Sequence, residues 1–95
     1  MEIKDGIYFV FLNGRHILTK KIQNGKGKTY LPYNLEVPIP HAEFSIERRT
    51  TEIVFTYGCL PFNVFLKPIS RVSFKGKAFL YGNEWFDLLL IKYEE

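Results

Sequence analysis

The stretch Ile7-Tyr8-Phe9-Val10-Phe11-Leu12-Asn13-Gly14-Arg15-His16-Ile17-Leu18-Thr19-Lys20-Lys21-Ile22 decides the fold class. Two runs rich in aromatic and branched side chains flank Asn-Gly. A two-residue type I′ turn needs positive φ at both central positions, which Asn and Gly tolerate best. The stretch therefore predicts a β-hairpin. A second turn at Asn24-Gly25-Lys26-Gly27 leads into Lys28-Thr29-Tyr30-Leu31, which predicts a third strand folded back on the second.

Beyond this unit, Pro32, Pro38 and Pro40 remove backbone donors between Leu31 and His41, so that stretch reads as a long crossing loop or an irregular edge. Alternation returns from Glu43 to Arg49, with Phe44 and Ile46 on one face and Glu43, Ser45 and Glu47 on the other. Glu52 to Tyr57 and Val64 to Leu66 read as further strands. Ser70 to Phe74 and Lys77 to Tyr81 flank Lys75-Gly76, which reads as another hairpin turn. After Gly82-Asn83, Trp85 to Tyr93 contains Leu88-Leu89-Leu90-Ile91, apolar on both faces, as in a covered strand or a short buried helix. This spacing predicts a single all-β domain over residues 1–95, with at most one short helix. Its expected form is a small antiparallel barrel or sandwich of about seven to eight short strands built from consecutive hairpins. The expected core is Phe9, Phe11, Ile17, Phe44, Ile46, Phe55, Phe74, Leu80, Leu88 and Leu90.

Composition agrees with that class. Nine Phe, six Tyr and one Trp stand against only two alanines, which favours pleated sheet over helix. Cys59 is alone and cannot close an intramolecular bridge, so a reducing compartment is expected. The start, Met1-Glu2-Ile3-Lys4-Asp5-Gly6, lacks the basic and apolar regions of a secretory signal. No apolar run reaches the roughly 18 residues of a membrane helix. The expectation is a cytoplasmic protein, of the cell or of an infected host cell, with no membrane partner.

The net charge of +3 is modest, but its distribution is uneven. Arg15, Lys20, Lys21, Lys26 and Lys28 follow one another with no acid between them, and so do Lys67, Arg71, Lys75 and Lys77. The last twelve residues oppose them with Glu84, Asp87, Glu94 and Glu95 against Lys92. Such separation builds one basic face and one acidic edge, unless the charges only solvate strand surfaces. Tyr30 and Tyr33 follow the basic turn, and aromatic rings beside cations are what single-strand grooves use for stacking.

For chemistry the sequence offers little. No Cys or His spacing matches a zinc site, and no cofactor motif is present. Gln23-Asn24-Gly25-Lys26-Gly27-Lys28 departs from the phosphate-loop pattern, which ends in Gly-Lys-Ser/Thr and opens a helix. His41, Glu43, Glu47, Arg48 and Arg49 supply the residue types of a ribonuclease, but strand parity sends Arg48 away from the two glutamates. The expected function is a non-enzymatic binding module whose basic hairpins engage nucleic acid or a nucleoprotein. The alternative is a protein-interaction module, such as a small phage- or virus-encoded inhibitor or virion component, and a ribonuclease-like enzyme is the remote third. A homo-oligomer joined through a sheet edge is a further expectation. The residues expected to carry binding are the nine cations of the two basic runs together with Tyr30 and Tyr33.

Overall fold

A computed structural model describes residues 2–93. Eight strands follow one another, β1 (Gly6–Leu12), β2 (Arg15–Gln23), β3 (Lys26–Tyr30), β4 (Phe44–Arg48), β5 (Ile53–Tyr57), β6 (Phe62–Pro68), β7 (Ser73–Leu80) and β8 (Asn83–Lys92). Each pairs antiparallel with the next, and β8 pairs back onto β1 through Tyr8↔Lys92 to Phe11↔Leu89, which closes a barrel. Closure pairs the first strand with the last, so neither β1 nor β8 stands at the open margin of a sheet.

Three hairpin turns set the register. Asn13 and Gly14 (φ 53° and 80°), Asn24 and Gly25 (54° and 79°), and Tyr81 and Gly82 (53° and 79°) each place two consecutive residues in the left-handed region. That backbone matches the twist of the flanking strands and specifies a type I′ turn. The last turn falls one residue before the expected Gly82-Asn83, and Asn83 already opens β8.

Parity then decides what is inside. Tyr8 and Val10 of β1 point inward and are buried, while Phe9 and Phe11 point outward and are half-buried, the reverse of the expected core assignment. The run from Ile7 to Leu12 is apolar on both faces, so only the pairing of β1 with β2 and β8 settles its parity. Outside, Phe9 and Phe11 pack on the His16 ring at 4.4 and 5.5 Å. Phe44, Phe55, Phe74, Leu88 and Leu90 are buried in the interior as expected, Ile17 and Ile46 pack partly buried against it, and Leu80 is half-buried. Ile3, ahead of β1, and Ala42, ahead of β4, also join the core.

One expectation fails around β7. Lys75-Gly76 is not a turn: the strand runs through it, with Leu66↔Gly76 and Lys67↔Lys75 in register against β6. The reversal lies earlier, between Pro68 and Ser73, where the amides of Ile69 and Ser70 donate to the Ser73 carbonyl. Residues 83–92 form a strand and not a helix.

Candidate functional site

On the β2–β3 hairpin the register places Lys21 opposite Lys28 and Gln23 opposite Lys26 on the outer surface, and Lys20 opposite Thr29 and Ile22 opposite Gly27 on the inner one. Lys21, Lys26 and Lys28 line a depression of about 520 Å³, closed on its far side by Glu43, Ser45 and Thr56. Among the described residues, none of these three lysines has a carboxylate oxygen within 4.0 Å; the ion pairs are held by Arg49 and Lys77. Like charges directly opposite on a sheet destabilise it, so Lys21 beside Lys28 is a cost that an anion would relieve. Lys21 is fixed in place, its Nζ donating to the Leu35 carbonyl at 3.1 Å and lying 4.9 Å from the Tyr30 ring centre.

The remaining expected residues are not brought to this patch. Lys20 is only 3% exposed and belongs to the interior, so it leaves the basic face altogether. Arg15 is exposed but opens β2 at the end away from Gln23, about 26 Å along the strand from the Lys26 tip. Tyr30 is buried under Lys21 and the returning loop, so its ring offers no stacking surface. Tyr33 is 89% exposed and stands edge-on to His16 at 5.4 Å. His16 is held below by Thr19, whose hydroxyl lies 2.9 Å from Nε2 and 3.2 Å from the Pro32 carbonyl.

The second basic run lies across the barrel, since β6 and β7 are four strands away from β2 and β3 in a ring of eight. Lys67 and Lys75 face outward directly opposite each other, and Arg71 is exposed in the preceding reversal. Lys77 is neutralised by Glu84 at 2.8 Å and Asp87 at 3.3 Å. Its hydrogen bond to Glu84, followed by that to Asp87, raises its pKa. The two acids of the expected acidic edge are thus spent on Lys77, and Glu94 and Glu95 lie outside the described residues.

The ribonuclease-like set does not converge. His41 is exposed in the turn before β4, whereas Arg49, beyond the other end of that strand, is held by Glu47 at 3.1 Å and Glu52 at 3.6 Å. Cys59 is exposed in the loop after β5. Among the described residues no group of three or more His, Cys, Asp or Glu side chains is placed to hold a metal ion.

The most unusual chemistry sits inside. Lys20 Nζ donates to Thr29 Oγ1 at 2.9 Å and Tyr57 Oη at 2.6 Å, and Thr29 in turn donates to the Ala42 carbonyl at 2.9 Å. The rings of Phe44, Tyr57 and Phe55 surround the amine at 4.8, 5.2 and 5.9 Å. Burial without a carboxylate pushes the Lys20 pKa down to about 7, and the same burial pushes the Tyr57 hydroxyl up. Sequence reading placed Lys20 in the basic patch. The available signal was parity, because Leu18 and Ile22 flank Lys20 at i ± 2 and share its face. Compared with protein-family models, curated proteins and solved structures, the chain has no match.

Proposed function

We propose that the chain is a non-enzymatic binding module whose outer β2–β3 face docks on the phosphate backbone of nucleic acid. The observation that carries this reading is the contrast among cations. Arg49 and Lys77 are satisfied by acids of the same chain, whereas Lys21, Lys26 and Lys28 line a depression that also holds Glu43, yet among the described residues no carboxylate oxygen lies within 4.0 Å of their amines. Phosphate contacts of this kind position a protein without reading bases, and no exposed aromatic ring lines the depression for stacking. The module is therefore expected to bind without sequence preference.

Fluorescence anisotropy of labelled single- and double-stranded oligonucleotides across a salt series tests this. Three neutralised phosphates give a slope of log K against log salt of about −2.7 on duplex and about −2.1 on single strands. Replacing Lys26 and Lys28 by Gln should remove about two contacts from that slope while leaving the melting temperature near that of the wild type, because both side chains are exposed. Absence of binding to every oligonucleotide at low salt sinks the reading.

A further inference from the structure

The wall opposite the β2–β3 face carries a groove of about 910 Å³ that crosses from Glu52, ahead of β5, to Asp87 on β8. Its apolar floor is Phe65 on β6 and Phe79 on β7, whose rings meet edge to face at 5.2 Å. Both occupy outward positions, since Phe65 pairs with Lys77 and Phe79 with Asn63. Ile69, 60% exposed, extends the apolar surface at one end.

Charge in the groove is uneven. Lys77 is neutralised by Glu84 and Asp87, and Arg49, whose guanidinium lies 5.6 Å from the Phe65 ring centre, by Glu47 and Glu52. Lys67 and Lys75 remain, exposed and directly opposite each other, with no carboxylate within 4.0 Å among the described residues. The free positive potential is thus concentrated at one place beside the phenyl floor. A phosphate chain laid along the groove would meet Glu52 at one end and Asp87 at the other, and like-charge juxtaposition of that kind rejects a partner. An occupant with a single anionic stretch and an apolar anchor meets no such opposition. Crossing from β5 to β8 spans three inter-strand gaps, about 14 Å, which matches about four or five residues of extended chain.

We infer that this groove binds a short acidic segment of a partner protein, with an Asp or Glu between Lys67 and Lys75 and an aromatic or branched aliphatic side chain resting on Phe65 and Phe79. The site is independent of the β2–β3 face, so one molecule can hold a nucleic acid on one wall and a protein on the other.

The test is a titration of the ¹⁵N-labelled full chain, read by amide chemical shifts. Four probes are compared: acetyl-Gly-Phe-Glu-Leu-Gly-amide, acetyl-Gly-Ser-Glu-Ser-Gly-amide, acetyl-Gly-Phe-Lys-Leu-Gly-amide and a five-nucleotide oligodeoxythymidylate. The first should shift amides of β6 and β7, leave β2 and β3 unmoved, and bind at least about tenfold more tightly than the serine and lysine peptides. K67Q combined with K75Q should weaken it about tenfold, as expected for two exposed charges. Phe79→Ser should weaken it too, in a variant whose dispersed spectrum confirms the barrel. The inference is overturned by an absence of β6–β7 shifts at millimolar peptide, by equal binding of the serine peptide, by unchanged affinity of the double lysine variant, or by the oligonucleotide taking the groove in preference. None of these outcomes bears on the salt series at the β2–β3 face.

Discussion

Lys20 shows how a single residue can set a property of the whole barrel. In the unfolded chain its amine titrates near the ordinary lysine value of 10.5, and in the folded barrel burial holds it at about 7. Between those values the unfolded state binds the extra proton, so stability rises with pH from about 7 to about 10.5, and below about 7 the full cost of the buried ammonium applies. The difference corresponds to up to about 5 kcal/mol. Urea unfolding at intervals from pH 6 to pH 10 should therefore show increasing stability, with Lys20→Met flattening that rise. Met fills similar volume without a charge, and the Tyr57 hydroxyl it leaves behind forfeits about 1–3 kcal/mol. The variant should thus exceed the wild type near pH 6 and lose the advantage by pH 10. A wild-type profile that is flat over this range would show that the amine reaches water. The residue was only partly legible: its neighbours Leu18 and Ile22 fix its parity, but a lysine between Thr19 and Lys21 reads first as one more surface cation.

Among the elements, the hairpins were the most readable, because a type I′ turn needs residues that the local sequence names. Asn13-Gly14 and Asn24-Gly25 stand where the dipeptides place them. Gly76 was misread by the same rule, since glycine marks either a turn or a close approach of two backbones, and local sequence does not separate the two. The structure does: a methyl group at Gly76 would overlap the Phe65 carbonyl and the Leu66 side chain across the β6–β7 ladder, whereas one at Gly14 would meet open space and face only the cost of φ 80°. Gly76→Ala must therefore push β6 and β7 apart and should destabilise by about 1–3 kcal/mol. Gly14→Ala should lose about 1 kcal/mol through its left-handed backbone. Thermal unfolding of the two variants side by side checks the ranking, and a milder effect at Gly76 would mean that β6 and β7 yield more easily than their register implies. The candidate sites divide in the same way. The basic runs were visible as composition, but Phe65 and Phe79 were not, because they acquire an outward, adjacent placement only once β6 and β7 are paired through Gly76.

At the scale of the molecule, the choice between barrel and sandwich lay beyond local reading, because closure depends on Tyr8 to Phe11 meeting Leu89 to Lys92 from the far end of the chain. The closed ring is not uniform. The β7–β8 ladder runs from Ser73↔Ile91 to Leu80↔Asn83, whereas β3 and β4 share only Lys26↔Ser45 and Gly27↔Phe44. Beyond those pairs the joint is extended by the Ile46 amide to the Gly25 carbonyl, and by the Thr29 hydroxyl to the Ala42 carbonyl. Thr29 is also the acceptor for Lys20. A proton added to the buried amine therefore presses on the weakest joint of the ring, and regions with the fewest ladder bonds are the ones that open below the global free energy. Native-state hydrogen exchange, corrected for intrinsic rates, should show amides of β7 and β8 exchanging only through global unfolding, and the Ile46 amide through a smaller opening. Both free energies should fall as pH drops from 9 to 6, because opening the joint and unfolding the barrel each release the buried ammonium to water, and both should lose that pH dependence in Lys20→Met. Uniform protection around the barrel at both pH values would show that the ring opens as one unit and that the lysine does not act through this joint.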